Sequence, residues 1–101
     1  QPHLYSRTRT FAAEFAEALD AADVAVVTDV YAAREDPDEA VTGALITDRM
    51  AAGVFVPDRF EAARRLGRQA RPGDLVLTVG AGDVTDLAPE VLAAIDTPDL
   101  A

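Results

Sequence analysis

The run Val24-Ala25-Val26-Val27-Thr28 decides the fold class of this chain. It is short, apolar and rich in β-branched residues, and it does not alternate with polar positions. This pattern is typical of a strand covered on both faces, as in parallel sheets. Two further runs have the same character. One is Val54-Phe55-Val56, which ends at Pro57, and the other is residues 75–79, which has turn-forming residues on both sides. Residues 75–79 are the clearest predicted strand of the three.

Helical periodicity precedes, separates and follows these strands. It predicts helices over residues 10–22, 43–52, 58–70 and from the turn at residue 83 to about residue 95. The apolar stripe of the first helix is formed by Phe11, Phe15, Ala18, Leu19 and Ala22. Asp58, with Glu61 three residues later, has the spacing of a capping box at a helix start. Residues 96–101 are expected to fray.

The alternation of helices and strands predicts an α/β fold, with a mostly parallel sheet between helices in a three-layer αβα, Rossmann-like arrangement. The chain opens on a polar string, whereas a strand normally feeds the first helix of such a fold. We therefore expect the first strand or strands to lie upstream of Gln1. On this interpretation residues 1–101 form one domain that is incomplete at its N-terminus.

Composition excludes several classes of function. A net charge of −9 argues against nucleic-acid binding, because phosphate backbones repel an acidic surface. No apolar run approaches the roughly 20 residues of a membrane-spanning helix, and no signal peptide is visible. Cysteine is absent, so disulfides and thiolate metal sites are excluded. Together these features predict a cytoplasmic protein with no membrane or nucleic-acid partner.

Polar and glycine residues follow each predicted strand, and the carboxyl ends of parallel strands form the usual ligand-binding edge. The residues that this rule brings together are His3, Tyr5, Ser6, Arg7, Asp29, Tyr31, Arg34, Glu35, Asp58, Gly80, Gly82 and Asp83. Arg7 and Arg9 could bind a carboxylate or phosphate through paired N–H groups, with the partial positive charge of a helix N-terminus behind them. Of the two arginines, Arg9 is the one expected to be merely solvated.

Two other sequence patterns give weaker evidence for a ligand site. Gly80-Ala81-Gly82 after a strand matches half of a dinucleotide-binding fingerprint, but Thr85 stands where the third glycine belongs. A tight turn in which Asp83 or Thr85 caps the next helix is the favoured interpretation. Asp29, Asp58 and Asp83 are scattered single carboxylates without the spacing of metal ligands, so no metal site is predicted. No nucleophile elbow or catalytic triad is present, and no catalytic residue is assigned.

Four motifs resemble those of one family. They are Gln1-Pro2-His3-Leu4-Tyr5-Ser6-Arg7-Thr8, Asp29-Val30-Tyr31-Ala32-Ala33-Arg34-Glu35, Val56-Pro57-Asp58, and Gly73-Asp74 followed by Gly80-Ala81-Gly82-Asp83-Val84. In this order they resemble the C-terminal domain of the alanine-adding Mur ligases, and they cover nearly the whole chain. The family often carries Arg at the position of Leu4, so Arg7 would bear more of any shared carboxylate contact here.

The resemblance implies a role. Mur ligases of this kind have three domains and use ATP to join L-alanine to UDP-N-acetylmuramate in peptidoglycan precursor synthesis. The resemblance assigns Arg7 to the alanine carboxylate and places His3 and Tyr5 beside it. Further residues that could line the site are Asp29, Tyr31, Glu35, Gly80, Gly82 and Asp83. ATP and Mg would be bound mainly by a central domain, with N-terminal and central domains as partners, so the present chain alone should be inactive.

Two alternatives stay open at this point. The first is a non-catalytic, Rossmann-type nucleotide-binding module that uses Gly80 and Gly82. The second is a structural or interaction domain whose acidic face binds another protein. Replacing Arg7 would separate them, since only the ligase interpretation predicts weaker use of L-alanine with ATP binding intact.

Overall fold

The computed structural model of the protein describes residues 1–96, and the predicted fraying of residues 97–101 lies outside them. Helices and short strands alternate along the described chain. The elements are α1 Tyr5–Leu19, β1 Val26–Val27, α2 Ala44–Thr47, β2 Val54–Phe55, α3 Arg59–Gln69, a 3-10 helix Asp83–Leu87 and α4 Ala88–Asp96.

A small parallel sheet lies at the centre of this arrangement. Val26 pairs with Val54 and Val27 with Phe55. Hydrogen bonds from Val54 N to Ala25 O, at 3.1 Å, and from Val56 N to Val27 O, at 2.9 Å, extend the ladder at both ends. The first two predicted strands and their parallel pairing are therefore confirmed, and the chain has an α/β fold.

The third predicted strand is wrong for the described chain. Residues 75–79 form no strand, because nothing within residues 1–96 pairs with them along their length. One backbone hydrogen bond reaches their end, from Gln1 N to Val79 O at 2.9 Å. Leu75, Leu77 and Val79 are 83%, 67% and 65% exposed. A single extended segment cannot satisfy its own N–H and C=O groups, so strand formation requires a neighbour.

Helix α1 begins five residues before the predicted start, and its inner face agrees with the predicted stripe only at Phe15 and Leu19, which pack against the core. Thr8, Ala12 and Ala16 are its buried residues, whereas Phe11 is 47% exposed and has non-helical φ and ψ of −114° and 17°. The kink rotates Phe11 off the inner stripe, and Ala18 and Ala22 are also exposed. The small side chains of this stripe allow α1 to pack closely against α2.

Helices α3 and α4 pack against each other over a second part of the core. The Asp58 side chain accepts a hydrogen bond from Glu61 N at 2.9 Å, so the predicted start of α3 is confirmed. Gly67 makes the close approach of α4 possible, because a Cβ there would lie 2.5 Å from the Cβ of Ala94. Pro89 sits in the first turn of α4 as predicted, where its missing N–H costs nothing.

The core consists of two clusters of modest side chains. Ala12, Ala16, Val27 and Ile46 form one, and Ala63, Val84, Leu87 and Val91 form the other. The predicted helix over residues 43–52 is confirmed only for Ala44–Thr47, since turns follow it. Within residues 1–96 no helix combines the length and the apolar character needed to cross a bilayer.

Candidate functional site

The first residues of the chain lie against the end of strand β1. His3 forms a parallel bridge with Tyr31. Tyr31 N donates to Pro2 O at 2.8 Å, and Leu4 N donates to Tyr31 O at 2.9 Å. This short ladder fixes the chain immediately before α1, so it sets where the first turn of that helix begins.

The rings of His3 and Tyr31 stack across this ladder. Their centroids are 5.8 Å apart and their planes differ by 16°. Tyr31 is 38% exposed, so the pair forms part of the surface of this edge. Two buried polar atoms nearby, His3 Nδ1 and Gln1 Oε1, have no hydrogen-bond partner among the described residues. The sequence placed His3 and Tyr31 at one edge, and the structure brings them into contact.

Gln1 connects this edge to the glycine-rich turn, which the sequence did not predict. Its Nε2 donates to Asp83 Oδ1 at 3.0 Å, and Asp83 Oδ2 lies 3.3 Å from Arg59 Nε. The residues of the first contact are 82 positions apart in the chain. No local pattern signals a pair at that separation, since neither spacing nor periodicity links the two segments.

The two glycines of this turn serve close packing. A Cβ at Gly82 would lie 2.9 Å from Tyr31 Cγ and 3.0 Å from Gln1 Oε1. One at Gly80 would lie 2.8 Å from a methyl of Val84. The predicted capping by Asp83 or Thr85 is wrong, because Gly82 is the N-cap of the 3-10 helix and no side chain caps it. On the side where a Cβ would project, the turn is therefore packed against Tyr31, Gln1 and Val84.

The N-terminus of α1 is capped by a carboxylate from the loop after β1. Glu35 Oε1 accepts from Tyr5 N and, at 3.2 Å, from Ser6 N, while Glu35 Oε2 accepts from Ser6 Oγ at 2.5 Å. The Ser6 hydroxyl, followed by these amides, lowers the pKa of Glu35 below its usual range. The expectation that this helix end is free to attract a ligand anion is wrong, because Glu35 already occupies it.

Arg7 and Arg9 lie on the same helix but differ in their partners. Arg9 Nη2 forms an ion pair with Asp38 Oδ2 at 2.7 Å. The Arg7 side chain is exposed and forms no hydrogen bond or ion pair within the described part of the chain. The guanidinium of Arg7 is therefore free to bind a ligand. Arg7 directly follows Ser6, which Glu35 caps, and a guanidinium has the geometry to bind a carboxylate or phosphate through two N–H groups.

Several predicted site residues have local roles instead. The Asp29 side chain accepts from its own neighbour, Val30 N, at 2.9 Å, and Asp58 caps α3. Within residues 1–96 no three acidic or histidine side chains are placed to hold a metal ion. Beside the cap lies an open depression of about 560 Å³. Its lining residues are Tyr5, Ser6, Arg9, Thr10, Arg34, Glu35, Asp36 and Asp38.

Comparison with known proteins bears on this edge. The sequence profile of a family described as "Mur ligase, glutamate ligase domain" matches residues 1–82. UDP-N-acetylmuramate–L-alanine ligase of Kineococcus radiotolerans is 62% identical over 96 residues, covering 91% of this chain and 20% of the relative. The enzymes of the same name from Renibacterium salmoninarum and Thermobifida fusca are 56% and 55% identical, each covering at least 94% of this chain and 21% of the relative.

This chain spans about a fifth of the length of these curated relatives. The match includes the His3–Arg7 segment, the Tyr31–Glu35 loop and the glycines of the turn, and it ends one residue before Asp83. The chain therefore belongs to the Mur ligase family, as its glutamate ligase, or C-terminal, domain.

Proposed function

We propose that the protein containing this chain is an ATP-dependent ligase that joins L-alanine to UDP-N-acetylmuramate in cell-wall peptidoglycan synthesis. Residues 1–101 would act as one domain that closes over the reacting groups and provides the alanine side of the site. The observation that carries the proposal is the exposed guanidinium of Arg7 in the first turn of α1, which has no partner among residues 1–96. The names of the relatives support the choice of substrates.

The proposed reaction has two steps. ATP phosphorylates the carboxylate of UDP-N-acetylmuramate, and the alanine amine then attacks the acyl phosphate and displaces phosphate. Arg7 would bind the alanine carboxylate through paired N–H groups and so direct the amine toward the acyl carbon. His3 and Tyr5 would bound the pocket. This role is binding and orientation, and none of the described residues is assigned a catalytic step.

ATP and Mg do not fit the described residues. The carboxylates of Asp29, Asp58 and Asp83 are held by Val30 N, by Glu61 N, and by Gln1 and Arg59. Gly82 is packed closely against Tyr31 and Gln1 on the side where a Cβ would project. We therefore assign ATP and Mg mainly to the central domain of the whole enzyme. A reaction that consumes ATP and a UDP-sugar belongs in the cytoplasm, where both are made.

The finer fold is part of the same proposal. In the whole enzyme, residues 75–79 would gain a strand partner and join the parallel sheet, because their backbone groups and three apolar side chains are open here. Helices on both faces of that wider sheet would give the three-layer αβα, Rossmann-like arrangement. The binding edge would then lie at the carboxyl ends of its strands.

The test is Arg7→Ala in the full-length ligase, with Arg9→Ala as the matched control. Losing a charge-assisted carboxylate contact should raise the apparent KM for L-alanine by about 10- to 100-fold. The KM for ATP should change by less than about twofold, since the nucleotide is bound elsewhere. Arg9 is already paired with Asp38, so its removal should leave both constants nearly unchanged.

Other outcomes identify the other functions. Loss of ATP affinity in the Arg7→Ala enzyme, with the KM for L-alanine unchanged, would support a nucleotide-binding module. Full activity with every constant unchanged would contradict the ligase role of this edge and would leave an interaction domain as the better description. Arg7→Lys should recover only part of the alanine affinity, because an ammonium cannot form the paired contact.

A further inference from the structure

Helix α1 begins without a capping residue of its own. Leu4 occupies the N-cap position, and its side chain cannot accept a hydrogen bond from the first turn. Glu35, about 30 residues away in the chain, provides the missing acceptor. Its two oxygens bind Tyr5 N, Ser6 N and Ser6 Oγ, which ties the loop after β1 directly to the first turn of α1.

The backbone on both sides of this contact is in an unfavourable conformation. Leu4 has a φ of 70° and Ala33 a φ of 54°, and among residues 1–96 these are the two non-glycine residues with positive φ. One immediately precedes Tyr5 and the other lies two residues before Glu35. Side chains with a Cβ adopt such angles when surrounding contacts hold them there, and such residues cluster at functional sites.

The contact between Glu35 and the first turn of α1 also bears on Arg7, the residue that the proposed function depends on. Arg7 follows Ser6 directly, and the stacked pair of His3 and Tyr31 lies on the other side of Leu4. Moving the first turn of α1 relative to the loop after β1 would therefore move Arg7 relative to Tyr31, which belongs to that loop. The relative position of Arg7 and Tyr31 matters, because a guanidinium that binds a small carboxylate must be held in position before the substrate arrives.

We propose that Glu35 is a positioning residue for amino-acid binding: it holds the first turn of α1 against the loop after β1 and so fixes Arg7 in its binding position. The proposal rests on the function proposed above. Glu35 does not itself touch the substrate, because both of its oxygens are engaged by α1. Without it, Leu4 and Ala33 relax toward favourable angles, and only a fraction of the enzyme has Arg7 in place.

The experiment compares Glu35→Ala, Glu35→Gln and Ser6→Ala in the full-length ligase, with Glu39→Gln as the matched control. Glu39 lies in the same loop, is exposed, and its side chain forms no hydrogen bond or ion pair within the described chain. Glu35→Ala should raise the apparent KM for L-alanine by about tenfold, as expected if about one enzyme in ten keeps the competent arrangement. At saturating L-alanine, kcat should stay within about twofold of the parent enzyme.

Two milder variants, Glu35→Gln and Ser6→Ala, separate a loss of alanine affinity from a loss of folded enzyme. Glu35→Gln keeps an acceptor for the two amides and should raise the KM for L-alanine less than Glu35→Ala does. Ser6→Ala removes only the hydroxyl contact and should have the smallest effect of the three. Glu39→Gln should leave the KM unchanged. Melting temperatures of all variants, measured on the same samples, report how much folded enzyme each assay contains.

A compensating substitution gives a second readout. Glycine adopts positive φ without the Cβ penalty, so Leu4→Gly should make the held conformation accessible without Glu35. We expect the double variant Leu4→Gly, Glu35→Ala to recover part of the alanine affinity that Glu35→Ala loses. A residue that merely stabilised the fold would give no such recovery in KM.

The outcomes separate the two proposals. An unchanged KM for L-alanine in Glu35→Ala, with a lower melting temperature or kcat, would overturn the positioning role and leave Glu35 as a structural cap. If Arg7→Ala raises that KM in the same assay, the proposed ligase function stands and only the role of Glu35 fails. If neither variant raises it, both proposals are wrong.

Discussion

Residues 24–31 and residues 75–79 have similar apolar, β-branched sequences but reach different structures. The first segment pairs with β2 through Val26 and Val27 and with the start of the chain through Tyr31. The second has one backbone hydrogen bond, at Val79. Val27 is 4% exposed, whereas Val79 is 65% exposed. The comparison shows that composition marks a candidate strand, while a hydrogen-bonding neighbour decides whether it becomes one.

The two segments also differ in how their faces are covered. Val27 lies in a core cluster with Ala16 and Ile46, while in residues 75–79 only the Val76 face packs inward. Leu75, Leu77 and Val79 point away from the core. The second segment is therefore a strand sequence with one face and nearly all of its hydrogen-bonding groups open.

The largest expected effect on stability compares the same substitution in both segments. Val27→Ala removes a buried side chain and should lower the free energy of unfolding by about 2 kcal/mol, while Val79→Ala should change it by less than about 0.5 kcal/mol. Urea denaturation of the 101-residue chain, followed by far-UV circular dichroism, measures both. Equal losses would contradict the difference between the two segments.

The same pair of variants sharpens the comparison in the full-length protein. If residues 75–79 join a wider sheet there, Val79→Ala should become as costly as Val27→Ala, and the amides of residues 75–79 should exchange slowly with solvent. Fast exchange of those amides in the full-length protein would show that the segment stays unpaired.

Local patterns predicted the elements whose causes are local. Asp58 was predicted to begin α3 because its side chain reaches an amide three residues away. The start of α1 was missed because its acceptor, Glu35, comes from a distant loop. Likewise the sequence placed His3, Tyr31 and Gly82 at one edge through the rule for parallel strands. It could not predict their contacts, nor the link from Gln1 to Asp83, which depend on how separate segments pack.

The next prediction concerns how closely the glycine-rich turn approaches Tyr31, in residues 24–31. Gly82→Ala would place a Cβ 2.9 Å from Tyr31 Cγ, so the turn or the ring must move. We expect a loss of about 1–3 kcal/mol in the free energy of unfolding, with a changed near-UV circular dichroism signal of Tyr31. Ala81→Ser, at the exposed neighbouring position, is the control and should be nearly neutral. A neutral Gly82→Ala would mean that the turn is not packed against Tyr31.

The smallest effect is expected in the pH dependence of stability. Contacts with Ser6 and the α1 amides lower the pKa of Glu35, so its native carboxyl releases its proton at a lower pH than the unfolded one does. The stabilisation is complete above the usual pKa of a glutamate and is lost as pH falls through the lower native value. Glu35→Gln should therefore weaken the rise in stability on going from about pH 3 to pH 5. Urea midpoints measured across that range test this, and identical slopes for Glu35→Gln and the parent chain would show that Glu35 does not hold the first turn of α1. Residues 75–79 contain no ionisable group, so the open segment itself adds nothing to this pH dependence.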